Sequence, residues 1–342
     1  MPKIVVIGGS FGALNALKVI LADLPEDFPA AILIVTHIGS HSSVLPEILG
    51  RSSTLQVRHA IDGEPILPGR VLLAPSDEHL TVVSDGVRSY ARLVHGPKEN
   101  HCRPAIDPLF RSAAAAFGPD TIGVILTGYL DDGTVGLQAV KARGGIAIVQ
   151  DPHEAEAPDM PLSALKHVDA DRKLGTGAIA QALVELVTAG TRGSAMEEVN
   201  PTSGAPDWID IENRFTGRGS DMDDLEELGR KSALTCPECN GALWELDIGG
   251  LVRYRCHTGH AFTASVLESL QTSAVEDALW GSIRALHEQE RLFDKMREKA
   301  LEAGRHASAA DYQAKAAQAK AHSQSLRHVI ATAAVLVKPG TP

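Results

Sequence analysis

Short apolar segments alternate with segments of helical spacing through the first 190 residues, and this alternation limits the fold more than any other feature. Residues 3–7, 31–36 and 121–127 are apolar and β-branched almost without interruption. Such strands are typical of sheets buried on both faces, whereas a half-exposed strand alternates apolar and polar residues. The sequence therefore predicts an α/β class: a doubly wound, mostly parallel sheet with helices on both faces.

Individual elements follow from the same patterns. Besides the three strands above, we predict strands at 70–74 and 145–150, and a local hairpin formed by 80–83 and 90–94. Helical spacing of apolar residues predicts helices over 13–24, 44–49, 106–117, 134–142, 160–166 and 178–188.

The composition changes after residue 190. Residues 191–232 are rich in Gly, Pro and Ser and hold ten acidic but only five basic side chains. This composition predicts an acidic flexible linker, with an acidic docking segment as the alternative. We expect a small zinc-ribbon-like module over 233–263 and a helical hairpin over 264–337, broken at Ala303-Gly304. The apolar stripe of these helices is either core or a self-association face, which would make a homodimer.

Composition and charge exclude several classes of protein. The 342 residues include 32 basic and 43 acidic side chains, a net charge of −11, so we expect no general binding of nucleic acid. No apolar run is long enough to span a membrane, and the N-terminus lacks the pattern of a signal peptide. Four cysteines in so long a chain do not form a secreted disulfide framework. We therefore expect a cytoplasmic protein.

The segment Gly8-Gly9-Ser10-Phe11-Gly12 lies between a predicted strand and a predicted helix. It fits G-x-S-x-G, the pattern of a serine nucleophile on a sharp strand-to-helix turn. The alternatives are a plain tight turn and a phosphate-binding loop of a nucleotide-binding protein. The dinucleotide-binding pattern G-x-G-x-x-G fails, because Ser10 occupies its second glycine position.

His37 and the pair Asp131-Asp132 follow two other predicted strands. In a doubly wound sheet, ligands bind outside the carboxyl ends of the strands, where Ser10 is also expected. The three residue types of a catalytic triad therefore converge on one edge of the sheet. The remaining histidines of the domain lack this placement, and we interpret them as surface or structural residues: His59, His79, His95, His101, His153 and His167.

A second group of residues has metal-ligand spacing. Cys236 and Cys239 form a C-x-x-C pair, and Cys256 precedes His260 by four residues. Two such pairs predict a structural zinc site with Cys236, Cys239, Cys256 and His260 as ligands. His257 is the alternative histidine ligand, and a thioredoxin-type C-x-x-C is the alternative chemistry. Cys102 stands apart and is interpreted as an ordinary thiol.

Residues 1–190 resemble the catalytic domain of chemotaxis receptor protein-glutamate methylesterases of the CheB type. The resemblance is carried by motifs spread over the whole domain: residues 6–12, 35–37, 69–75, 103–112, 126–128, Asp132-Gly133, 150–152 and 158–161. It implies hydrolysis of glutamyl methyl esters on chemoreceptors to glutamate and methanol, without a catalytic cofactor, and deamidation of receptor glutamines. The methylated cytoplasmic helices of chemoreceptors would be the partners.

The resemblance also assigns roles. Ser10 matches the nucleophile, His37 the general base, and Asp132 the carboxylate that orients the histidine, with Asp131 as the alternative. Phe11 and Tyr129 match positions that build the oxyanion site.

Two departures qualify the match. Phe11 replaces the usual threonine, and Tyr129-Leu130 replaces the usual Met-Gly. These changes favour the competing hypothesis, a catalytically degenerate homologue that binds a receptor or partner. The family also commonly carries an N-terminal receiver domain, and the sequence begins directly at the catalytic domain. We therefore expect a regulatory input other than phosphorylation in cis.

Overall fold

A computed structural model of the chain describes residues 2–37, 43–189, 208–218 and 222–336. Its seven-stranded sheet has the strand order β3-β4-β2-β1-β7-β8-β9, and every neighbouring pair is parallel. The strands are β1 (Ile4–Gly9), β2 (Ala31–Thr36), β3 (Gln56–His59), β4 (Arg70–Leu73), β7 (Thr121–Ile125), β8 (Ile146–Gln150) and β9 (Arg172–Leu174). A separate antiparallel hairpin contains β5 (His79–Ser84) and β6 (Ser89–Val94).

Helices cover both faces of this sheet, so the predicted fold class is confirmed. They are α1 (Ala13–Ala22), α2 (Leu45–Gly50), α3 (Ile106–Phe117), α4 (Thr134–Ala142), α5 (Asp159–His167) and α6 (Thr176–Thr188). Val5 and Ile7 of β1 pack in one apolar core with α1, α2 and α6. Ile4 and Val6 of the same strand face the opposite core, with α3, α4 and α5. Burial on both faces explains why the strands are continuously apolar.

The strand order brings the candidate residues to one edge of the parallel sheet. The chain begins at β1 in the middle of the sheet, continues to one side through β2, and reaches the other side at β7. The carboxyl ends of β1, β2 and β7 therefore lie side by side at the point where the strand order reverses. Ser10, His37 and the Asp131-Asp132 pair follow these three strands, at the edge where open α/β sheets bind their ligands.

A second, antiparallel sheet lies in the C-terminal part of the chain. Its strands β10 (Gly229–Thr235), β11 (Ala242–Ile248), β12 (Leu251–Cys256) and β13 (Ala261–Thr263) pair in sequence order. Residues 2–37, 43–189, 208–218 and 222–267 belong to one compact unit, which therefore contains both sheets. This four-stranded sheet with its Cys/His residues, over 229–263, is called the Cys/His module below.

The prediction of a flexible linker over 191–232 is wrong for its second part. Trp208–Arg218 forms helix α7, Met222–Leu228 forms helix α8, and β10 begins at Gly229. Ile211 and Phe215 of α7 and Leu225 of α8 are buried against Trp244 of β11. These apolar side chains outweigh the acidic composition on which the prediction rested. The rest of the predicted linker, residues 191–207 and 219–221, lies outside the described residues.

The Cys/His module also packs against the α/β domain itself. Val135 of α4 lies in one apolar cluster with Leu246, Ile248 and Leu251 of the module. The two sheets therefore share buried surface, which a tethered, independent module would not do.

The second compact unit is Glu268–Pro342, and its described residues up to 336 are helical apart from the turn at 303–305. Its described part contains most of α9 (Ala264–Glu302) and all of α10 (His306–Leu336), with the chain reversal at the predicted Ala303-Gly304. Gly304 has φ 69, a conformation that glycine adopts without strain and that commonly ends a helix. Ile283, Ala300 and Ala316 are buried in this unit. Within the described ranges, no helix has the length and apolarity that crossing a membrane requires.

Candidate active site

Ser10 lies on the tight turn that connects β1 to α1. Gly12 has φ 80 and opens the helix, and the Ser10 amide donates to the Thr127 carbonyl at 2.9 Å. A Cβ at Gly128 would come within 2.8 Å of the Ser10 Cβ. Glycine at 128 therefore lets the segment after β7 approach the serine closely. Small residues around Ser10 are needed for this geometry, as the sequence motif indicates.

His37 follows β2 and joins the other two residues by hydrogen bonds. Ser10 Oγ lies 3.1 Å from His37 Nδ1, and His37 Nε2 lies 2.8 Å from Asp132 Oδ2. Since an ionised Asp132 only accepts, Nε2 carries the proton that it donates. Nδ1 of the neutral ring is then free to accept the hydroxyl proton of Ser10. The structure thus brings together all three residues that the sequence singles out.

Asp132 is almost fully buried and is held by several donors. Its Oδ2 accepts from the Ile106 amide at 2.7 Å, in addition to His37. Its Oδ1 accepts from Asn100 Nδ2 at 3.0 Å. Burial acts to raise the pKa of Asp132. The hydrogen bonds from His37, Ile106 and Asn100, together with the charge of His37, lower it more. The pKa of Asp132 therefore lies below its usual value. Asp132 is therefore ionised at neutral pH and fixed in orientation.

Asp131, the alternative partner of His37, points elsewhere. Its carboxylate accepts hydrogen bonds from the hydroxyls of Thr263 and Ser265. Thr263 ends strand β13 and Ser265 is in the first turn of α9. The geometry therefore selects Asp132 over Asp131 as the residue that contacts the histidine.

The electrostatic environment of His37 favours its protonated form. Burial lowers the pKa of His37, but Asp132 and the Cys102 thiol raise it more, to about 10. Cys102 thus lies next to His37, a contact that the sequence does not predict. Its 65-residue separation from His37 in sequence hid the contact. An imidazolium formed during catalysis would be well stabilised here, while neutral His37 becomes more populated as the pH rises.

The two predicted oxyanion residues flank Ser10. The Phe11 and Tyr129 amides donate to no acceptor among the described residues, so both remain available to a ligand. Their rings contact each other, with centroids 5.2 Å apart. Phe11 is 50% exposed and Tyr129 55% exposed, and the neighbouring Leu130 is 41% exposed. An exposed apolar rim therefore borders the candidate nucleophile.

Sequence reasoning missed a group of buried residues behind Asp132. Asp107 and Asn100 are buried there, and burial, aided by the charge of Asp132, raises the pKa of Asp107 to about 7. Asn100 Nδ2 lies between the two carboxylates, 3.2 Å from Asp107 Oδ2. Asp107 is part of the Arg103–Ser112 motif, which was its only signal. Asn100 has no signal in a single sequence.

Behind these residues lies a buried cluster of charged side chains. Arg111 of α3 forms a two-bond contact with Glu99, and Arg255 of β12 forms one with Glu212 of α7. Arg253 of β12 contacts both glutamates. All five side chains are at most 1% exposed. This cluster joins the α/β domain, helix α7 and the Cys/His module, and we call it the buried ion cluster.

The Cys/His module brings together the four predicted metal ligands. Cys236 and Cys239 lie in the turn after β10, and Cys256 and His260 flank the turn between β12 and β13. Their ligand atoms all lie within 4.8 Å of one another. Cys239 Sγ is 3.7 Å from Cys256 Sγ, and His260 Nδ1 is 3.6 Å from Cys256 Sγ. Zinc–sulfur bonds of about 2.3 Å in a tetrahedron put sulfurs about 3.8 Å apart, so the four residues fit a zinc ion. His257 is exposed and lies outside this group.

Comparisons with known proteins agree with the fold and show the family. The family model for CheB methylesterase matches residues 5–183. A protein of Xanthomonas euvesicatoria pv. vesicatoria, named protein-glutamate methylesterase/protein-glutamine glutaminase 1, is 39% identical over 184 residues, which are 54% of this chain and 51% of the relative. A protein of Anaeromyxobacter dehalogenans with the same name but the number 2 is 42% identical over 185 residues, 54% of this chain and 53% of the relative. The chain thus spans about half the length of these curated relatives.

A solved structure is also similar. The CheB methylesterase catalytic domain of Thermotoga maritima is 38% identical, with a TM-score of 0.53. The match covers 54% of this chain and 99% of that domain. The family match ends at residue 183, before helix α7 and the Cys/His module begin.

Proposed function

The chain belongs to the CheB methylesterase family, and from this premise we propose that it is a serine esterase that hydrolyses glutamyl methyl esters of chemoreceptors to glutamate and methanol. One observation carries the proposal: Ser10, His37 and Asp132 form a continuous hydrogen-bonded chain, with distances of 3.1 and 2.8 Å. A serine hydroxyl is a weak nucleophile at neutral pH and needs such a base.

In the first half of the proposed reaction, Ser10 Oγ attacks the ester carbonyl. His37 accepts the serine proton at Nδ1 while Nε2–H continues to donate to Asp132, whose charge stabilises the imidazolium. The amides of Phe11 and Tyr129, which have no acceptor in the part of the chain that the structure describes, would donate to the oxyanion that develops on the carbonyl oxygen. His37 then returns the proton to the leaving methoxide, which departs as methanol and leaves an acyl-serine.

In the second half, water replaces methanol. His37 accepts a proton from the water, whose oxygen attacks the acyl carbonyl, and returns it to Ser10 Oγ as glutamate leaves. The same steps with ammonia as the leaving group would convert a receptor glutamine to glutamate. No catalytic cofactor enters either cycle. Because backbone amides supply the oxyanion site, the side chains of Phe11 and Tyr129 need not abolish the reaction.

The exposed rim of Phe11, Tyr129 and Leu130 supports a protein substrate. A small ester needs no such open apolar border, whereas an amphipathic receptor helix would cover it. We therefore propose the methylated cytoplasmic helices of chemoreceptors as partners and the cytoplasm as the location. The helical unit of α9 and α10 is our candidate for self-association. The same rim would also suit a catalytically degenerate, purely binding homologue.

Methanol release from methylated receptor membranes tests the proposed esterase. The full-length chain should release methanol, and Ser10→Ala should reduce the rate by at least about 10⁴-fold. Ser52→Ala, at a serine far from the site in the sequence, is the control and should keep the wild-type rate. Full activity of Ser10→Ala would refute the mechanism, and no release by wild type would favour the binding homologue.

We further propose that Cys236, Cys239, Cys256 and His260 hold a structural zinc ion. Four protein ligands leave no open position for substrate, so the metal would stabilise the fold. Elemental analysis of reduced, purified protein should find close to one zinc per chain. His260→Ala should lose it, whereas His257→Ala should retain it. Equal zinc content in these two variants would contradict the assignment.

A further inference from the structure

The proposed triad ends at Asp132, and the side chain behind Asp132 belongs to neither the triad nor the oxyanion site. Asn100 is buried and has φ 51, in the left-handed region that asparagine tolerates better than most residues. Its Nδ2 donates to Asp132 Oδ1 at 3.0 Å and to Asp107 Oδ2 at 3.2 Å. The first bond engages Oδ1 of Asp132, while Oδ2 accepts from the Ile106 amide and faces His37.

Asn100 is itself held from the other side by the Cys/His module. Its amide donates to the Ala261 carbonyl at 2.8 Å, and its Oδ1 accepts from the Thr263 amide at 3.1 Å. Both partners lie on strand β13. The side chain and the backbone amide are therefore fully bonded, and they connect β13 to the catalytic carboxylate.

Strand β13 begins immediately after His260, one of the four proposed zinc ligands. The turn before it is closed by two backbone bonds: the Cys256 amide donates to the His260 carbonyl at 3.0 Å, and the Gly259 amide to the Cys256 carbonyl at 2.9 Å. Zinc bound to Cys256 and His260 would fix this turn. Without the metal, three buried or half-buried thiols and an imidazole would lose their common partner, and the turn would relax.

A second contact joins β13 to the loop after β7, which contains both Asp131 and Asp132. Thr263 Oγ1 donates to Asp131 Oδ1 at 2.7 Å, next to Asp132 in sequence. The buried ion cluster holds β12, the neighbour of β13, against Glu99, next to Asn100. The module therefore contacts both segments that carry the environment of the triad carboxylate.

We propose that Asn100 is a positioning residue for Asp132 and that the zinc-bound Cys/His module, through β13, holds Asn100 in place. The inference rests on the esterase function proposed above. Its consequence is that the metal, although remote from the chemistry, supports the rate of the reaction. Relaxation of β13 would release Asn100, let the Asp132 carboxylate rotate, and weaken its bond to His37.

The test compares Asn100→Ala with Asn15→Ala, a substitution of an exposed asparagine on α1. In the methanol-release assay, Asn100→Ala should lower kcat by roughly 10²-fold, the effect of a small misplacement of a catalytic group, with KM within about twofold of wild type. The downfield proton NMR signal of the His37–Asp132 hydrogen bond should shift or broaden. Asn15→Ala should change none of these quantities.

The second part of the test removes the zinc ion from the full-length protein under reducing conditions. Removal of zinc by a chelator should reproduce the loss of kcat and the change of the NMR signal, and added Zn²⁺ should restore both. His260→Ala should behave like the zinc-free protein, whereas His257→Ala should behave like wild type.

Wild-type kcat and an unchanged NMR signal in Asn100→Ala, or in the zinc-free protein, would overturn the proposal. Failure of the esterase function would show itself differently, as Ser10→Ala releasing methanol at the wild-type rate. The NMR signal reports on the His37–Asp132 bond without turnover, so the two failures are distinguishable.

Discussion

Two parts of the candidate site are built in different ways. Ser10 and His37 lie directly after β1 and β2, neighbouring strands of one parallel sheet, and their positions follow from the sheet alone. Asp132 also follows a sheet strand, but one of its donors is Asn100, and Asn100 is bonded to a strand more than 160 residues farther along the chain. Ser10 and His37 thus owe their positions to neighbouring strands of one sheet, whereas Asp132 is also linked through Asn100 to a second sheet.

The difference shows that residues around the candidate site are bonded to a module outside the sheet that carries Ser10 and His37. The family match covers residues 5–183, yet Asn100, which donates to the Asp132 carboxylate, is itself bonded to Ala261 and Thr263. A module that appears peripheral in the sequence therefore becomes part of the environment of the site.

The largest expected effect is at the carboxylate itself. Asp132→Asn should lower kcat by about 10⁴-fold, because the amide neither fixes the reactive tautomer of His37 nor stabilises its positive charge. Asp131→Asn is the matched comparison and should lower kcat far less, since Asp131 does not contact the histidine and an amide oxygen at this position can still accept the bond from Thr263. Methanol release under saturating substrate measures both. Equal losses in the two variants would remove the distinction between these neighbouring residues.

The next largest expected effect is on stability, and it tests whether the buried ion cluster holds the two sheets together. Glu212→Ala should destabilise the protein by about 3–5 kcal/mol, because Arg111, Arg253 and Arg255 would remain buried with Glu99 as the one carboxylate left to the cluster. Asp210→Ala, two residues earlier, removes only an exposed contact with Arg143 and should cost less than about 1 kcal/mol.

Denaturant unfolding of the zinc-loaded protein gives both free energies of unfolding. If Glu212→Ala and Asp210→Ala had similar free energies of unfolding, the buried ion cluster would contribute little to binding helix α7 and the module to the α/β domain.

The pH dependence tests the environment of the base. Since the pKa of His37 is raised to about 10, the neutral form that accepts the serine proton increases with pH. We expect kcat/KM to rise from neutral into alkaline pH. Cys102→Ala removes one group that raises this pKa, so the rise should move to lower pH, while His153→Ala, at an exposed histidine, should leave it unchanged. An unmoved or upward-shifted profile in Cys102→Ala would contradict the assigned contact.

The smallest expected effect is at the exposed rim. Phe11→Thr removes the ring contact with Tyr129 and part of the apolar border but keeps the backbone amide. We expect KM for the receptor substrate to rise by roughly 2–10-fold, the value of one aromatic contact, with kcat within about twofold. Val19→Thr, at an exposed apolar residue on α1, is the control. A large loss of kcat would instead assign the Phe11 side chain to the chemistry.

Most of the first sheet and the triad could be predicted because their signals are local. Continuous apolar runs gave the strands near β1, β2 and β7, and the glycines around Ser10 gave the turn. Strands β3 and β9 were missed, since Gln56–His59 and Arg172–Leu174 are short edge strands of polar composition. The cluster of Cys236, Cys239, Cys256 and His260 could also be predicted, because C-x-x-C spacing brings such side chains together; that they bind zinc stays a prediction.

The support of Asp132 could not be predicted, because each of its bonds joins residues far apart in sequence. Asn100 reaches Thr263 and Glu99 reaches Arg253, and no periodicity links such pairs. Helix α7 had a usable signal: Ile211 and Phe215 are four residues apart and lie on one face, as in an amphipathic helix. The acidic and glycine-rich composition of the region concealed it.

The reactivity of Ser10 is the central claim, and labelling with a fluorophosphonate probe measures it most directly. We predict one phosphonyl group per folded chain, located on Ser10 by peptide mass spectrometry, and no labelling of denatured protein or of His37→Ala. Absence of label in the folded, zinc-loaded chain, or label on a different residue, would contradict the account.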